Sequence, residues 1–404
     1  MAISLKQFGP GLLFAGAAIG VSHLVQSTRA GADFGFGLVW ALILVNLFKY
    51  PFFQFGPRYA LATGESLLEG YKKLGKGVLL AYFILSLATM FTIQLGVTIV
   101  TAGLASSLFG DFISVKTWTF VILGICFIIL AVGKYRLLDR LMKIIVITLS
   151  ISTLMAVLMA LFNIHSSMTF VQVFPNTTME IGFLIAFMGW MPAPLDISVW
   201  QSLWALEKQK ESKSYDVKTS IFDFNVGFIT TIILGLGFVA LGALVMFNSG
   251  QTFSESASGF SNQLIQMYVN NLGHWSYPII GIAAFATMFS TTLSTLDASP
   301  RSMEKAIQLL LGNNVTKGYH VWLIILTIGT VLIFFFLNSE MGLLIKIATI
   351  LSFLTAPFYA IANYRLISSK HTPHDWQPTV KMHVLSCLGI LFLIGFSLWY
   401  LHIL

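Results

Sequence analysis

The sequence predicts an all-α polytopic membrane protein with about eleven transmembrane helices. Of its 404 residues, 56% are hydrophobic and only 10% are charged, whereas about 25% of the residues in an ordinary soluble domain are charged. The mean hydropathy is +0.83. Apolar runs of about 20 residues, the length that crosses a hydrocarbon core roughly 30 Å thick, recur along the whole chain. These observations exclude a water-soluble globular protein.

Eleven apolar stretches are long enough to be transmembrane spans, and the first is read as an uncleaved span because no signal-peptide cleavage site bounds it. No stretch between them is long enough for a soluble domain, so we expect one transmembrane domain over residues 1–404. The predicted spans are residues 8–26, 35–55, 77–104, 117–132, 142–162, 181–203, 224–247, 277–296, 319–337, 341–362 and 384–404.

The basic residues predict the orientation of these spans. Short cytoplasmic loops carry an excess of Lys and Arg, and a cytoplasmic N-terminus places most of the 23 basic residues on that side. Arg29 and Lys116 then lie outside, while Lys49 and Lys346 fall within spans. We therefore expect an integral protein of a prokaryotic inner membrane with its C-terminus outside. The lipid bilayer is its expected partner, and the net charge of +7 does not indicate nucleic acid.

Two predicted spans are interrupted in the middle. Span 1 contains four glycines between Gly9 and Gly20, which lower its helix propensity. In span 6, Pro192 and Pro194 remove two backbone donors and free the carbonyls one turn earlier. Irregular backbone at membrane depth is tolerated where it lines a cavity or is buried in protein. Close helix packing at the glycines and an ordinary proline kink are the alternative explanation.

Breaks five spans apart predict two five-helix halves of opposite topology. We expect these inverted repeats at about residues 8–163 and 181–366, followed by an extra helix at about 384–404. The two breaks, near residues 18–22 and 189–194, should face one another across a central cavity.

Ionisable residues lie next to both breaks. His23 follows the glycines of span 1, and Asp196 follows the prolines of span 6. Intramembrane ionisable residues are candidates for function, and a histidine can carry a proton near neutral pH. The alternatives are a neutral, hydrogen-bonded His23 and an Asp196 that caps the following half-helix.

Span 8 carries a stripe of hydroxyl groups. Ser290, Ser294 and Asp297 recur on one helical face, with Thr291 and Thr295 beside them. Hydroxyl oxygens can bind a hard cation such as sodium, so the four Ser and Thr residues are candidates for a coupling-ion site. Interhelical hydrogen bonding is the alternative role.

Signatures of ATP use and of common enzymes are missing: the sequence has no Walker loop, no HExxH and no Gly-x-Ser-x-Gly elbow. A secondary transporter driven by an ion gradient is the expected function, with a channel as the next alternative, and neither enzymatic activity nor a cofactor is expected. Lys49 and Asp223 both lie near the predicted inner ends of their spans, where they could form an ion pair.

At several of these positions the chain resembles the Nramp family of proton-coupled divalent-metal transporters. The resemblance is carried by Gly9-Pro10, by AGADFGFGLVW at residues 30–40, by ATGESL at residues 62–67 and by Met191-Pro192. It is strongest near the N-terminus. It implies a LeuT-type fold with two inverted five-helix repeats and broken helices 1 and 6, and symport of a metal ion.

The resemblance also implies a metal site, from which this sequence departs. The Asp-Pro-Gly-Asn element of the family aligns with Gly20-Val21-Ser22-His23, and the histidine of its Met-Pro-His element aligns with Ala193. Span 3 contains Gln94 and no carboxylate where the family has acidic residues. Met191 and His23 are the remaining candidate metal ligands. The candidate substrate-binding positions are Gly20, His23, Met191, Ala193 and Asp196.

A small organic solute is the alternative substrate. The segment GAAIGVS at residues 16–22 also resembles the unwound, glycine-rich segment of amino-acid carriers. Such a segment, with a half-helix N-terminus, binds a carboxylate through exposed amides. The alternative is therefore a sodium- or proton-coupled carrier of an amino or carboxylic acid.

Overall fold

A computed structural model describes residues 9–110, 112–132, 135–162, 170–212, 214–247, 249, 252–312, 318–337 and 341–403. Phe8, Asn163 and Leu404, which bound predicted segments, lie outside these residues. Four of the basic residues that the predicted orientation places on the cytoplasmic side also lie outside them, namely Lys6, Lys134, Lys213 and Lys317. The described chain is helical. Its helices are α1 (Pro10–Ala18), a π-helical segment (Ser22–Ser27), α2 (Thr28–Phe34), α3 (Val39–Thr63), α4 (Leu67–Leu74), α5 (Lys76–Phe109), α6 (Val115–Ala131), α7 (Tyr135–Phe162), α8 (Thr178–Trp190), α9 (Ile197–Glu211), α10 (Val217–Val245), α11 (Ala257–Leu272), α12 (Ser276–Leu311), α13 (Gly318–Leu337), α14 (Met341–Ile367), a 3₁₀ turn (His374–Trp376) and α15 (Val380–Ile403).

Each of the eleven predicted spans coincides with a helix or with a pair of helices. Within the described residues, seven helices are long and apolar enough to cross a membrane, and α1 with residues 22–34 forms an eighth, bent span. Shorter apolar helices occupy the predicted spans 4, 5 and 6. The prediction of an all-α protein with about eleven spans is therefore confirmed. The boundaries of the two inverted repeats remain a prediction.

Both expected breaks are present. Span 1 stops at Ala18 and resumes at Ser22, with a bend of 47° between its halves. Span 6 consists of α8, which ends at Trp190, and α9, which begins at Ile197. This second break starts slightly later than expected, because Pro192 disfavours helical geometry at Met191, the residue before it, and α8 continues up to Trp190. Met191 accordingly adopts an extended conformation.

Helix α10 packs closely against both halves of span 1. A Cβ atom on Gly227 would lie 2.1 Å from the carbonyl oxygen of Gly11, and one on Gly242 would lie 2.2 Å from that of Thr28. Both positions therefore require glycine, as expected where transmembrane backbones approach closely. The two contacts fix each half of span 1 against one continuous helix.

Asp223 of α10 binds the N-terminal end of α1. Its Oδ2 atom accepts hydrogen bonds from Gly11 N at 2.8 Å, from Gly9 N at 3.2 Å and from Tyr215 Oη at 2.8 Å. The free N–H groups of a helix N-terminus attract a carboxylate. Lys49 instead contacts carbonyl groups of span 6, so the expected pair of Lys49 with Asp223 is wrong.

Replacing Gly227 with Ala should destabilise the protein by about 1–3 kcal/mol, because the new methyl group collides with backbone atoms that cannot move away. Gly124→Ala in α6 is the matched control, since nothing lies within 4 Å of its Cβ position. There the substitution should be neutral, or stabilising by about 0.5–1 kcal/mol. Thermal unfolding of both purified variants measures the difference, and equal effects would contradict the close packing described above.

Candidate functional site

A small cavity lies between the two breaks. Its volume is about 20 Å³, which is room for roughly one water molecule or one ion. Span 1, span 6, α5 and α12 all contribute to its wall. The lining residues are Ala17, Ala18, Val21, Ser22, Ile93, Val97, Trp190, Ala193, Pro194, Ile197, Trp200, Thr291 and Thr295. This arrangement agrees with the expectation that the two breaks face one another across a cavity.

Three hydroxyl groups supply polar atoms to the cavity wall. Ser22 Oγ lies 2.7 Å from Ala18 O and 3.3 Å from Pro192 O, so it connects the two broken spans. Thr295 Oγ1 donates to Gln94 Oε1 at 2.7 Å. Thr291 Oγ1 lies 3.3 Å from Gly16 O, one turn before the break in span 1. The cavity is therefore lined by neutral oxygen atoms and apolar groups.

Gly20 allows α12 to approach span 1. A Cβ atom at this position would lie only 3.0 Å from both Oγ1 and Cγ2 of Thr291. Gly20 therefore lies at the break as expected, and it brings the hydroxyl stripe of α12 against the break without contributing a side chain of its own.

His23 is directed toward α10. Its Nε2 atom lies 2.9 Å from Thr231 O, and its Nδ1 atom lies 2.7 Å from Ser22 Oγ and 3.1 Å from Ala18 O. A neutral ring that donates from Nε2 fits the Thr231 contact, and Nδ1 then competes with Ala18 O for the single proton of the Ser22 hydroxyl. The ring is fully buried and is absent from the cavity wall. Both nitrogens thus have partners within the helix bundle.

The three candidate residues of span 6 occupy different places. Ala193 lines the cavity. Met191 is buried beside α10; its sulfur atom lies 3.4 Å from the place that a Cβ atom on Gly235 would occupy. Asp196 is the residue before α9; it is 8% exposed, and its Oδ1 atom has no hydrogen-bond partner. Of these three side chains, only that of Ala193 reaches the cavity wall.

The hydroxyl stripe of α12 divides into two rows. Thr291 and Thr295 line the cavity, whereas Ser290 and Ser294 are buried away from it. Asp297, on the serine face, pairs with Arg301 at 2.8 Å. Only the threonine row could therefore present oxygen atoms to an ion at the breaks.

Lys49 has contacts that the sequence did not predict. Its Nζ atom donates to the carbonyl oxygens of Met188 at 2.7 Å, Gly189 at 2.8 Å and Ala193 at 3.4 Å, all at the break of span 6. An ionisable residue within a span was the available signal. Among the described residues, no group of three His, Cys, Asp or Glu side chains could hold a metal ion.

Replacing His23 with Ala should lower the free energy of unfolding by about 1–3 kcal/mol, because the Thr231 carbonyl loses its buried donor. The apparent substrate affinity of the folded fraction should change little, since the ring is absent from the cavity wall. Ser22→Ala is the comparison, because Ser22 does line the cavity and should affect affinity. A large loss of affinity in His23→Ala at normal stability would identify His23 as a ligand instead.

A family model and individual relatives indicate the same protein family for this chain. The model for the natural resistance-associated macrophage protein-like (Nramp) family matches residues 11–402. An uncharacterised protein of Pasteurella multocida is 37% identical over 97% of this chain and 91% of its own length. The divalent metal cation transporter MntH of Staphylococcus saprophyticus is 24% identical over 95% of this chain and 89% of its own length.

Two solved structures share the fold. A mutant of the manganese transporter of Eremococcus coleocola superposes with a TM-score of 0.74 at 14% identity, covering 96% of this chain and 85% of its own. MhsT in complex with L-phenylalanine gives a TM-score of 0.64 at 14% identity, covering 98% of this chain and 99% of its own. Together with the broken spans 1 and 6, these similarities show a LeuT-type fold. The chain belongs to the Nramp family of membrane transporters.

Proposed function

We propose that this protein is an ion-coupled secondary transporter that carries a divalent metal cation through the cavity between the two breaks. Family membership and the similarity to a divalent metal cation transporter support this function. The observation that carries the proposal is the cavity itself, which has room for about one ion. We assign the protein no enzymatic activity.

The composition of the cavity wall indicates weak metal binding. Divalent cations need oxygen or nitrogen ligands, and charged ligands offset the cost of dehydration. Ser22, Thr291 and Thr295 supply neutral oxygens, while Gly20 and Ala193 supply no side-chain ligand. We therefore propose that manganese or iron binds more weakly here than in a relative with an acidic ligand in span 1.

Ion coupling and orientation complete the proposal. Thr291 and Thr295 are the candidate ligands for a coupling ion, since they are the members of the α12 stripe that reach the cavity wall. Because the cavity has room for about one ion, the metal and the coupling ion do not occupy it together in this conformation. The excess of basic residues on one side supports a cytoplasmic N-terminus and an external C-terminus. A prokaryotic inner membrane is the proposed location.

A small amino or carboxylic acid is a second candidate substrate. The observation that favours it is that no described acidic residue lines the cavity. The N-terminal end of α9 begins beside the break, and helix N-termini attract anions. Asp196 already places a carboxyl group at this N-terminus, which weighs against the organic acid. The family and its metal-transporting relative favour the metal ion.

Calorimetry with purified protein distinguishes between the two candidate substrates, a divalent metal ion and an organic acid. Manganese should bind weakly, and a panel of amino and carboxylic acids should release no heat of binding. If the substrate is instead an organic acid, sodium should strengthen its binding, and the acid must strengthen sodium binding by the same factor. Saturable acid binding without any manganese binding would overturn the proposed metal function.

Adding a carboxylate at the break should improve metal transport. Gly20→Asp should raise the apparent manganese affinity by about tenfold or more, a change of the size seen when groups that support metal ligands are altered. Gly20→Asn is the matched control, because it fills the same space against Thr291 without a charge. Manganese uptake into proteoliposomes measures both variants. Equal uptake by Gly20→Asp and Gly20→Asn would show that the metal does not pass Gly20.

A further inference from the structure

Lys49 lies in the middle of α3, fully buried, with its ammonium group at the break of span 6. A lysine ammonium has three donors and no acceptor. Three carbonyl oxygens, those of Met188, Gly189 and Ala193, lie 2.7, 2.8 and 3.4 Å from Nζ. The number of acceptors therefore matches the number of donors.

These carbonyls collect at one place because α8 ends there. Its last turn leaves the carbonyls of Met188 and Gly189 without intrahelical partners, since Pro192 has no N–H for Met188 O and the helix stops before Gly189 O can be bonded. The carbonyl of Ala193 belongs to the unwound segment that follows. The C-terminal end of a helix also carries partial negative charge. Asp196, the residue before α9, adds a buried carboxyl group to the segment that follows the break. The break thus forms an electronegative pocket that needs a cation.

We propose that this pocket is a monovalent-cation site that the protein fills with its own Lys49 ammonium group. Unwound backbone carbonyls of broken transmembrane helices bind exchangeable sodium in other transporters. Here the cation is covalently attached to α3, so the break of span 6 keeps its shape at any external sodium concentration. The pocket is separate from the cavity between the breaks, whose wall does not include Lys49.

Lys49 is a positioning residue in this arrangement. The carbonyl oxygen of Ala193 accepts a hydrogen bond from the Lys49 ammonium, and Ala193 also lines the cavity. Gly189 precedes Trp190, which also lines the cavity. The ammonium therefore connects the last turn of α8 to the segment that follows it and fixes the part of the wall contributed by span 6.

Replacing Lys49 with Met tests the proposal, because Met fills the aliphatic space and removes the charge. In a buffer whose only cation is the bulky N-methylglucammonium, the melting temperature of the purified variant should fall by about 5 °C or more. Sodium, potassium or ammonium ions should restore most of the loss by entering the vacated pocket. Proteoliposome uptake at saturating substrate should recover in the same salts.

Lys346→Met is the matched control, because Lys346 is a second lysine within a predicted span and lies beside Gly182. The control and the unmodified protein should melt at temperatures that do not depend on which of these cations is present. Cation-dependent recovery of Lys49→Met alone supports the proposal, whatever the transported substrate is.

Three results would overturn it. Lys49→Met could melt at the temperature of the unmodified protein, or melt lower by the same amount in every salt. It could also fail to fold in every salt, including when it is produced and purified with high potassium. The first result would show that the pocket needs no cation. The other two would show that a small cation cannot replace the ammonium, so that the pocket is not a cation site.

Discussion

The structure depends on one constraint: backbone groups freed by a broken helix must find partners inside the protein, because hydrocarbon offers none. The two breaks meet this constraint differently. At span 6 the ammonium of Lys49 satisfies three carbonyls. At span 1 the hydroxyl of Ser22 lies 2.7 Å from Ala18 O, and His23 Nε2 lies 2.9 Å from Thr231 O of α10. Polar side chains beside a break can therefore resemble substrate ligands in the sequence and yet stabilise the broken helices in the structure.

Close helix packing and the Ser22 side chain also hold the two breaks on opposite sides of a cavity. Glycine contacts seat both halves of span 1 on α10, and Gly20 admits Thr291 of α12 against the break. Ser22 Oγ reaches Pro192 O across the gap at 3.3 Å. The resulting space is about 20 Å³, so a single ion fits in this conformation and an organic solute would require the helices to separate.

The fold was predictable from the sequence because its signals are local. Hydropathy located the spans, and the glycines before Gly20 and the prolines after Trp190 located the breaks. The directions of the side chains were not predictable, because they depend on how each half-helix is rotated about its axis. Helical spacing grouped Ser290 with Ser294 and Thr291 with Thr295, but only packing against Gly20 and Gln94 decides which pair faces the cavity. His23 and Lys49 likewise find partners on other helices, in contacts that span 208 and at least 139 positions of sequence.

Anomalous X-ray scattering at the manganese absorption edge tests the central claim most directly. The claim is that the transported ion binds between the two breaks. Crystals of the protein grown with manganese should show an anomalous peak beside Ser22, Ala193 and Thr291, at an occupancy that rises with manganese concentration. A peak beside His23 and Met191 on the α10 side, or manganese sites confined to the protein surface, would contradict the claim.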